Sequence, residues 1–269
     1  MNPTTAMLPY QGRLICNLYL ACSAPVLLLL VMPLTGLGTS WAPHKISCPL
    51  CGEKITVSVV VSSGSYIYHG PSKYQLVFWP FIDEQVLYFC RHCHLALFMG
   101  DFEKLASDKR ESLRKALDPL KQTQANVEYY QVPMAYRLSL AEAAYRILGK
   151  DDSFWCHFYR VQGHHLAMAQ KTDEALAART KALNLAEKLL KAGNPNIPEK
   201  EALFVIGSMQ YFTAQVQAAQ ATLIRMKALS IPPSKTMPEE NARNFSVYLN
   251  SVAEEFLGYI RQGKPVPIQ

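Results

Sequence analysis

The spacing of apolar residues divides this chain into three regions. Apolar residues are almost continuous over residues 14–34, alternate with polar ones over residues 55–61, and recur at helical intervals from Asp101 onward. Alternation predicts a half-buried strand, whereas recurrence with a period near 3.6 predicts an amphipathic helix. The sequence therefore predicts a mainly α protein, α+β overall, in which a small β module precedes irregular helical hairpins.

The β module is predicted from short apolar segments that are separated by turn residues. Segments 55–61, 74–79 and 85–89 favour β-branched and aromatic residues, and turns containing Gly, Ser or Pro lie between them. We divide the chain into a hydrophobic amino-terminal segment, the β module, a connecting helix with its linker, and a helical domain, at residues 1–43, 44–102, 103–132 and 133–263.

The helical region contains one predicted hairpin and a second, weaker match to the same residue spacing. Small residues at Gly163, Ala175 and Ala182 and the ring of Tyr159 match the spacing at which tetratricopeptide-like helices approach closely. The second match centres on Gly207, which follows Gly163 by 44 residues rather than the ~34 of a tetratricopeptide repeat. We therefore predict a short, irregular tetratricopeptide-like array. The predicted helices cover residues 101–124, 135–148, 154–170, 173–190, 199–229 and 239–261.

The segment 14–34 contains no charged residue and is predicted to be a membrane anchor. About 20 consecutive apolar residues span a bilayer as a helix. A cleaved signal peptide is disfavoured because Pro43 would become the first residue of the mature chain. Two other interpretations stay open, a buried helix or an extension upstream of a true start at Met32, which would leave the protein cytoplasmic. Basic residues flank both ends, so the side of the membrane stays open.

Composition narrows the class of protein. Hydrophobic residues make up 49% and charged residues 18% of the 269 positions, which excludes a disordered chain. The net charge of +6 is diffuse, and residues 44–100 hold four basic and three acidic residues, which disfavours nucleic acid as a partner. Because no phosphate-binding glycine loop, nucleophile elbow, kinase motif or His-Glu-x-x-His pair is present, we expect no enzymatic activity.

Four of the seven cysteines form two Cys-x-x-Cys pairs, Cys48 with Cys51 and Cys90 with Cys93. Two intervening residues allow both thiolates of a pair to converge on one ion, and Gly52 lets the backbone turn toward the sulfurs. Two such knuckles supply the four ligands of a tetrahedral structural zinc site. The sequence therefore predicts a zinc-ribbon-like module with zinc as its cofactor.

Other interpretations of these cysteines stay open. Two disulfides or a redox pair are expected if the module lies in an oxidising compartment, and the thiols could also be unrelated. A catalytic zinc is disfavoured because it needs a free coordination position, which four cysteines would fill. His92 and His94 bracket Cys93 and are expected to face solvent, although they could instead replace a sulfur ligand or support the cluster through hydrogen bonds.

The order of these motifs resembles an uncharacterised bacterial family that joins two Cys-x-x-Cys knuckles to a tetratricopeptide-like helical tail. The resemblance covers about residues 46–263 and implies that the four paired cysteines are metal ligands, with no catalytic residue to transfer. It also implies a soluble, intracellular protein without the amino-terminal apolar segment. The chain departs from the family pattern at Arg91, where Pro is usual, and at His94, where Gly is usual.

We predict a non-enzymatic, metal-stabilised binding or scaffold protein whose helical groove holds a protein or peptide and whose residues 14–34 attach it to a membrane. The alternative is a membrane-tethered thiol–disulfide protein that uses the paired cysteines. A nucleic-acid-binding zinc ribbon is the third hypothesis.

Overall fold

A computed structural model of the chain describes residues 40–62, 84–123, 126–193, 197–234 and 237–265. The predicted strand at 74–79 and the apolar segment at 14–34 lie outside these residues. Within the described part of the chain, every helix is too short or too polar to pass through a bilayer.

Two antiparallel hairpins form the β module. Strand β1 (Ser40–Ser47) pairs with β2 (Lys54–Ser62), and β3 (Leu87–Phe89) pairs with β4 (Ala96–Phe98). The predicted strands at 55–61 and 85–89 correspond to β2 and β3, although β3 begins only after a 3-10 turn at Glu84–Val86. The sequence did not predict β1 and β4, because β1 contains Pro43 and few buried residues and β4 has only three residues.

The remainder of the described chain is helical, so the protein is mainly α, as predicted. Successive helices pack into antiparallel hairpins, above all α4 with α5 and α6 with α7. The helices are α1 (Met99–Phe102), α2 (Arg110–Leu117), α3 (Met134–Leu148), α4 (Asp152–Met168), α5 (Thr172–Ala192), α6 (Glu199–Phe212), α7 (Val216–Lys227) and α8 (Glu239–Gln262).

The single connecting helix predicted over residues 101–124 was wrong. The chain leaves α1 at Phe102, becomes extended at Ala106 and re-enters helix at α2. Phe102 is fully buried and its ring lies 5.7 Å from that of Tyr88, whereas Leu113 and Leu117 are buried farther along the same core. The helix breaks because Phe102 and the pair Leu113 and Leu117 are buried at different places in the core. No Gly or Pro lies between α1 and α2 to indicate the break in the sequence.

The single helix predicted over residues 199–229 was also wrong, because α6 and α7 form a hairpin. The turn between them contains Ala214, whose φ of 63° is left-handed. Folding α7 back on α6 fully buries Ala219, Leu223 and Met226, which a straight helix would leave without this contact. Tertiary packing therefore outweighs the helical propensity of Ala214.

The two hairpins repeat the same turn with an offset of 44 residues. The Lys171 N–H donates to the Leu166 carbonyl at 2.9 Å, and the Gln215 N–H donates to the Gln210 carbonyl at 2.8 Å. The residue before each donor has a left-handed φ, 60° in the first turn and 63° in the second. The 44-residue spacing noticed in the sequence is thus a structural repeat of the turn.

The predicted small positions lie where the helices of each hairpin approach most closely. A Cβ built on Gly163 would lie 2.7 Å from Cγ of Arg179, and one on Gly207 would lie 2.8 Å from Cδ2 of Leu223. Each glycine therefore leaves room for a side chain of the partner helix. The other predicted packing positions are also buried: Tyr159, Ala175 and Ala182.

One hydrophobic core joins the β module to the helices as far as α6, and a second core joins α6, α7 and α8. Tyrosine hydroxyls tie the two β hairpins together. The Tyr88 hydroxyl donates to the Ser58 carbonyl at 2.9 Å, and the Ser58 N–H donates to the Tyr129 hydroxyl at 3.2 Å. The β module is consequently built on the helices rather than standing apart from them.

Candidate metal centre

The first knuckle is the turn between β1 and β2. The Cys48 N–H donates to the Glu53 carbonyl at 2.8 Å, and the Gly52 N–H donates to the Cys48 carbonyl at 2.8 Å. Gly52 has a φ of +81°, a conformation that costs a residue with a Cβ about 1–2 kcal/mol. The glycine therefore allows the turn that directs Cys48 and Cys51 to the same side.

The second knuckle, between β3 and β4, has the same backbone geometry. The Cys90 N–H donates to the Leu95 carbonyl at 2.9 Å, and the His94 N–H donates to the Cys90 carbonyl at 2.7 Å. His94 occupies the position of Gly52 and adopts a φ of 63°. The departure from the family pattern at His94 therefore leaves the turn intact.

The two knuckles bring their four sulfur atoms into one cluster. Sγ of Cys48 lies 3.5 Å from Sγ of Cys93, Sγ of Cys51 lies 3.6 Å from Sγ of Cys90, and all four sulfurs lie within 4.8 Å of one another. A tetrahedron with Zn–S bonds of ~2.3 Å has S···S edges of ~3.8 Å. The cluster could therefore hold one metal ion, and no other such group occurs among the described residues.

The sulfurs are largely shielded from water and strongly coupled. Cys90 is fully buried, Cys48 and Cys93 are almost so, and Cys51 is half-buried. Hydrogen bonds from Cys90 and Cys93 lower the pKa of Cys48 to about 4, while the bond to Cys48 raises the pKa of Cys93. A thiolate at one cysteine thus makes deprotonation of its neighbours harder. Four thiolates in this cluster require a cation to offset their repulsion.

The two predicted histidines behave differently from each other. His92 is exposed, whereas His94 is buried, and its Nδ1 shares a hydrogen bond of 2.6 Å with the Tyr136 hydroxyl. Burial lowers the pKa of His94, and the charge of Lys121 lowers it further, which favours the neutral ring. Neither histidine belongs to the group of candidate ligand atoms, which consists of the four sulfurs.

Tyr136, at the start of α3, holds the second knuckle on the helical region. Besides His94, its hydroxyl accepts from the Gln122 N–H at 3.0 Å and donates to the Leu120 carbonyl at 3.1 Å. In the first knuckle, the Arg114 guanidinium donates to the Leu50 carbonyl at 2.8 Å. Each knuckle is therefore fastened by a helical side chain from outside the cluster.

Arg137 is a supporting residue that the sequence reasoning missed. Its fully buried guanidinium donates to four carbonyls at 2.7–3.0 Å, and burial lowers its pKa to about 10, which still leaves it charged near neutral pH. The sequence contained one signal for this role, because Arg137 lies among the buried positions of α3. A charged side chain in an apolar stripe of a helix needs hydrogen-bond acceptors. The acceptors lie before and at the start of β3 and around the 3-10 turn at Tyr129–Gln131: Glu84, Leu87, Tyr130 and Val132.

Fold and cluster together define a mainly α protein whose amino-terminal β hairpins present a tetracysteine site. The model of the family described as uncharacterized protein conserved in bacteria (DUF2225) matches residues 42–244, which is more than half of the chain. The chain belongs to this family, which confirms the resemblance drawn from its motifs. No curated protein and no solved structure matches the chain.

Proposed function

We propose that the four cysteines hold one structural zinc ion and that the helical array serves as a binding scaffold for a protein partner. The convergence of four sulfurs within 4.8 Å carries this proposal. Zinc suits the site because thiolates are soft ligands and the sulfur spacing approaches that of a tetrahedral tetrathiolate. Bound zinc would neutralise the repulsion between the thiolates.

The arrangement favours a structural over a catalytic ion. A catalytic zinc keeps one position for water or substrate. Here four sulfurs are available, and the nearby His94 ring is engaged by Tyr136 instead of facing the sulfurs as a ligand. The ion would therefore cross-link two turns that are far apart in the sequence.

A protein-binding role is supported by the repeated hairpins of α4–α5 and α6–α7. Stacked hairpins of this kind present an extended surface whose shape follows from the repeat. The second helix of each hairpin exposes apolar side chains, including Leu176 at 45% and Ile224 at 55%. Membrane attachment through residues 14–34 would place this scaffold at a bilayer surface.

Metal content and free thiols of the full-length chain, purified in detergent without added zinc, test the zinc site. We expect one zinc ion per chain and four cluster thiols that react only after a chelator has removed it. Cys90→Ser should lose the ion, whereas the matched variant Cys156→Ser should retain it, because Cys156 is buried between helices away from the cluster. Disulfides without metal would contradict the proposal.

A further inference from the structure

Cys51 is the most accessible of the four clustered cysteines. The other three expose at most 8% of their surface, whereas Cys51 is half-buried. Its neighbour Gly52 borders open space, because a Cβ built there would meet no atom within 4 Å. Cys51 is therefore the residue of the cluster that a small oxidant most easily approaches.

The Cys51 sulfur lies close to a sulfur of the other knuckle. Its Sγ lies 3.6 Å from Sγ of Cys90, and the second close contact, 3.5 Å between Cys48 and Cys93, also joins different knuckles. A disulfide needs an S–S distance of about 2.0 Å, so the two sulfurs of each pair must approach one another by about 1.5 Å. The knuckle turns hold their backbone bonds without any bridge inside a Cys-x-x-Cys pair.

We propose that Cys51 is a site of two-electron oxidation by hydrogen peroxide or an organic hydroperoxide, with Cys90 as the residue that completes the disulfide. This inference rests on the proposed zinc site, since a metal keeps the four sulfurs as nearby thiolates. The redox pair is thus formed between the knuckles, in contrast to a thioredoxin-like pair within one Cys-x-x-Cys motif.

The chemistry proceeds in two steps for hydrogen peroxide. The Cys51 thiolate attacks one peroxide oxygen, the O–O bond breaks, and hydroxide leaves as the sulfur becomes a sulfenic acid. The Cys90 thiolate then attacks that sulfur, the S–O bond breaks, and a second hydroxide leaves as the disulfide forms. Two thiolates lose two electrons, the peroxide gains them, and two protons from solvent convert both hydroxides to water.

The first disulfide removes two of the four zinc ligands and so releases the ion. The Cys51–Cys90 bridge nevertheless connects the same two turns that the ion connected. Cys48 and Cys93 are left as neighbouring thiols that a second peroxide can join in the same way. The oxidised module therefore keeps its knuckles together after it has lost its metal.

Stepwise oxidation of the full-length, zinc-loaded chain tests this order. Zinc is counted before peroxide is added, released zinc is followed with a chromogenic chelator, and the disulfides are mapped after each equivalent. Chymotrypsin can cleave after Leu50 and trypsin after Arg91, so a combined digest separates the two cysteines of each knuckle. The background variant replaces Cys16, Cys22 and Cys156 with Ser, because these are the three cysteines outside the cluster.

After the first equivalent, we expect Cys51 and Cys90 to be joined, Cys48 and Cys93 to remain reduced, and zinc to be lost in step with the bridge. A first bridge within either knuckle, or sulfinic acid at a buried cysteine while Cys51 stays reduced, would overturn the inference. The initial zinc count is a separate result: a metal-free, reduced chain would contradict the proposed function, whereas a loaded chain with the wrong first bridge would contradict only this inference.

Discussion

The knuckle pair and the hairpin pair each repeat one backbone geometry, yet different forces hold the copies together. The knuckles share their turn hydrogen bonds and converge on four sulfur atoms. The hairpins share their turn hydrogen bonds, and the two helices within each hairpin pack closely at Gly163 or Gly207. The knuckles thus depend on polar partners and a proposed ion, whereas the hairpins depend on packing.

This difference shows how the same local turn can serve two kinds of stability. The short β hairpins have only three to nine residues per strand and share their core with the helices, so we expect a metal cross-link to stabilise them. The helical array depends on packing instead, since α6, α7 and α8 have a core of their own. A perturbation of the metal site should therefore affect the two regions unequally.

The largest loss of stability is expected when metal is removed from the knuckles. Chelation, or Cys90→Ser, should open the β hairpins, because a structural zinc contributes an apparent ~10–16 kcal/mol in small zinc modules. Hydrogen exchange should accelerate throughout β1–β4 while the amides of α8 (Glu239–Gln262) stay protected. Equal loss of protection in both regions would mean that the array also depends on the ion.

The next effect concerns the close contacts in the hairpins. Gly207→Ala should lower the free energy of unfolding by ~1–3 kcal/mol, because the new Cβ meets the buried Leu223 at 2.8 Å. Gly163→Ala should cost at least as much, since the new Cβ would lie 2.7 Å from Cγ of Arg179 and 3.3 Å from the backbone oxygen of Ala175. Denaturant unfolding measures both. The control is Gly258→Ala in α8, where the nearest atom is 4.0 Å away, and it should not destabilise.

A smaller effect is expected where the second knuckle is fastened to the helices. Tyr136→Phe should cost about 1.5 kcal/mol, because the hydroxyl bonds His94, Leu120 and Gln122. Zinc affinity should fall with it, as measured by competition with a chromogenic chelator. Tyr130→Phe is the comparison, because its hydroxyl has no hydrogen bond recorded with the described residues. Equal affinities in the two variants would show that Tyr136 does not support the knuckle.

The smallest loss of stability is expected from substitutions at Gly52 and His94, the two knuckle residues with a left-handed backbone. Gly52→Ala should cost about 1 kcal/mol from backbone strain alone, since a Cβ there meets no neighbour. His94→Ala should destabilise more than His94→Gly by a similar amount, because both lose the bond to Tyr136 but only glycine relieves the φ of 63°. Thermal unfolding of the zinc-loaded chain gives the order, and a reversed order at position 94 would refute the strain argument.

The chain pattern predicted most helices and the cysteine pairs, but it missed features that depend on distant contacts. Residues 135–148, 154–170 and 173–190 correspond closely to α3, α4 and α5 because their apolar period lies within each segment. The breaks at Ala106 and Ala214 carry no Gly or Pro. They arise because the helices on either side of each break pack against distant parts of the chain. A short stretch of sequence contains no information about those contacts.

The sequence by itself determined the spacing of each Cys-x-x-Cys pair, the left-handed turn at Gly52 and the small residues of the hairpins, because each is set within a few neighbouring positions. Only the tertiary structure decided that the knuckles meet, that the ring of the left-handed His94 bonds to Tyr136, and that Arg137 donates to the carbonyls of Glu84 and Leu87. These features join residues that are far apart along the chain, and the free energy that fixes them appears only when the shared core has formed.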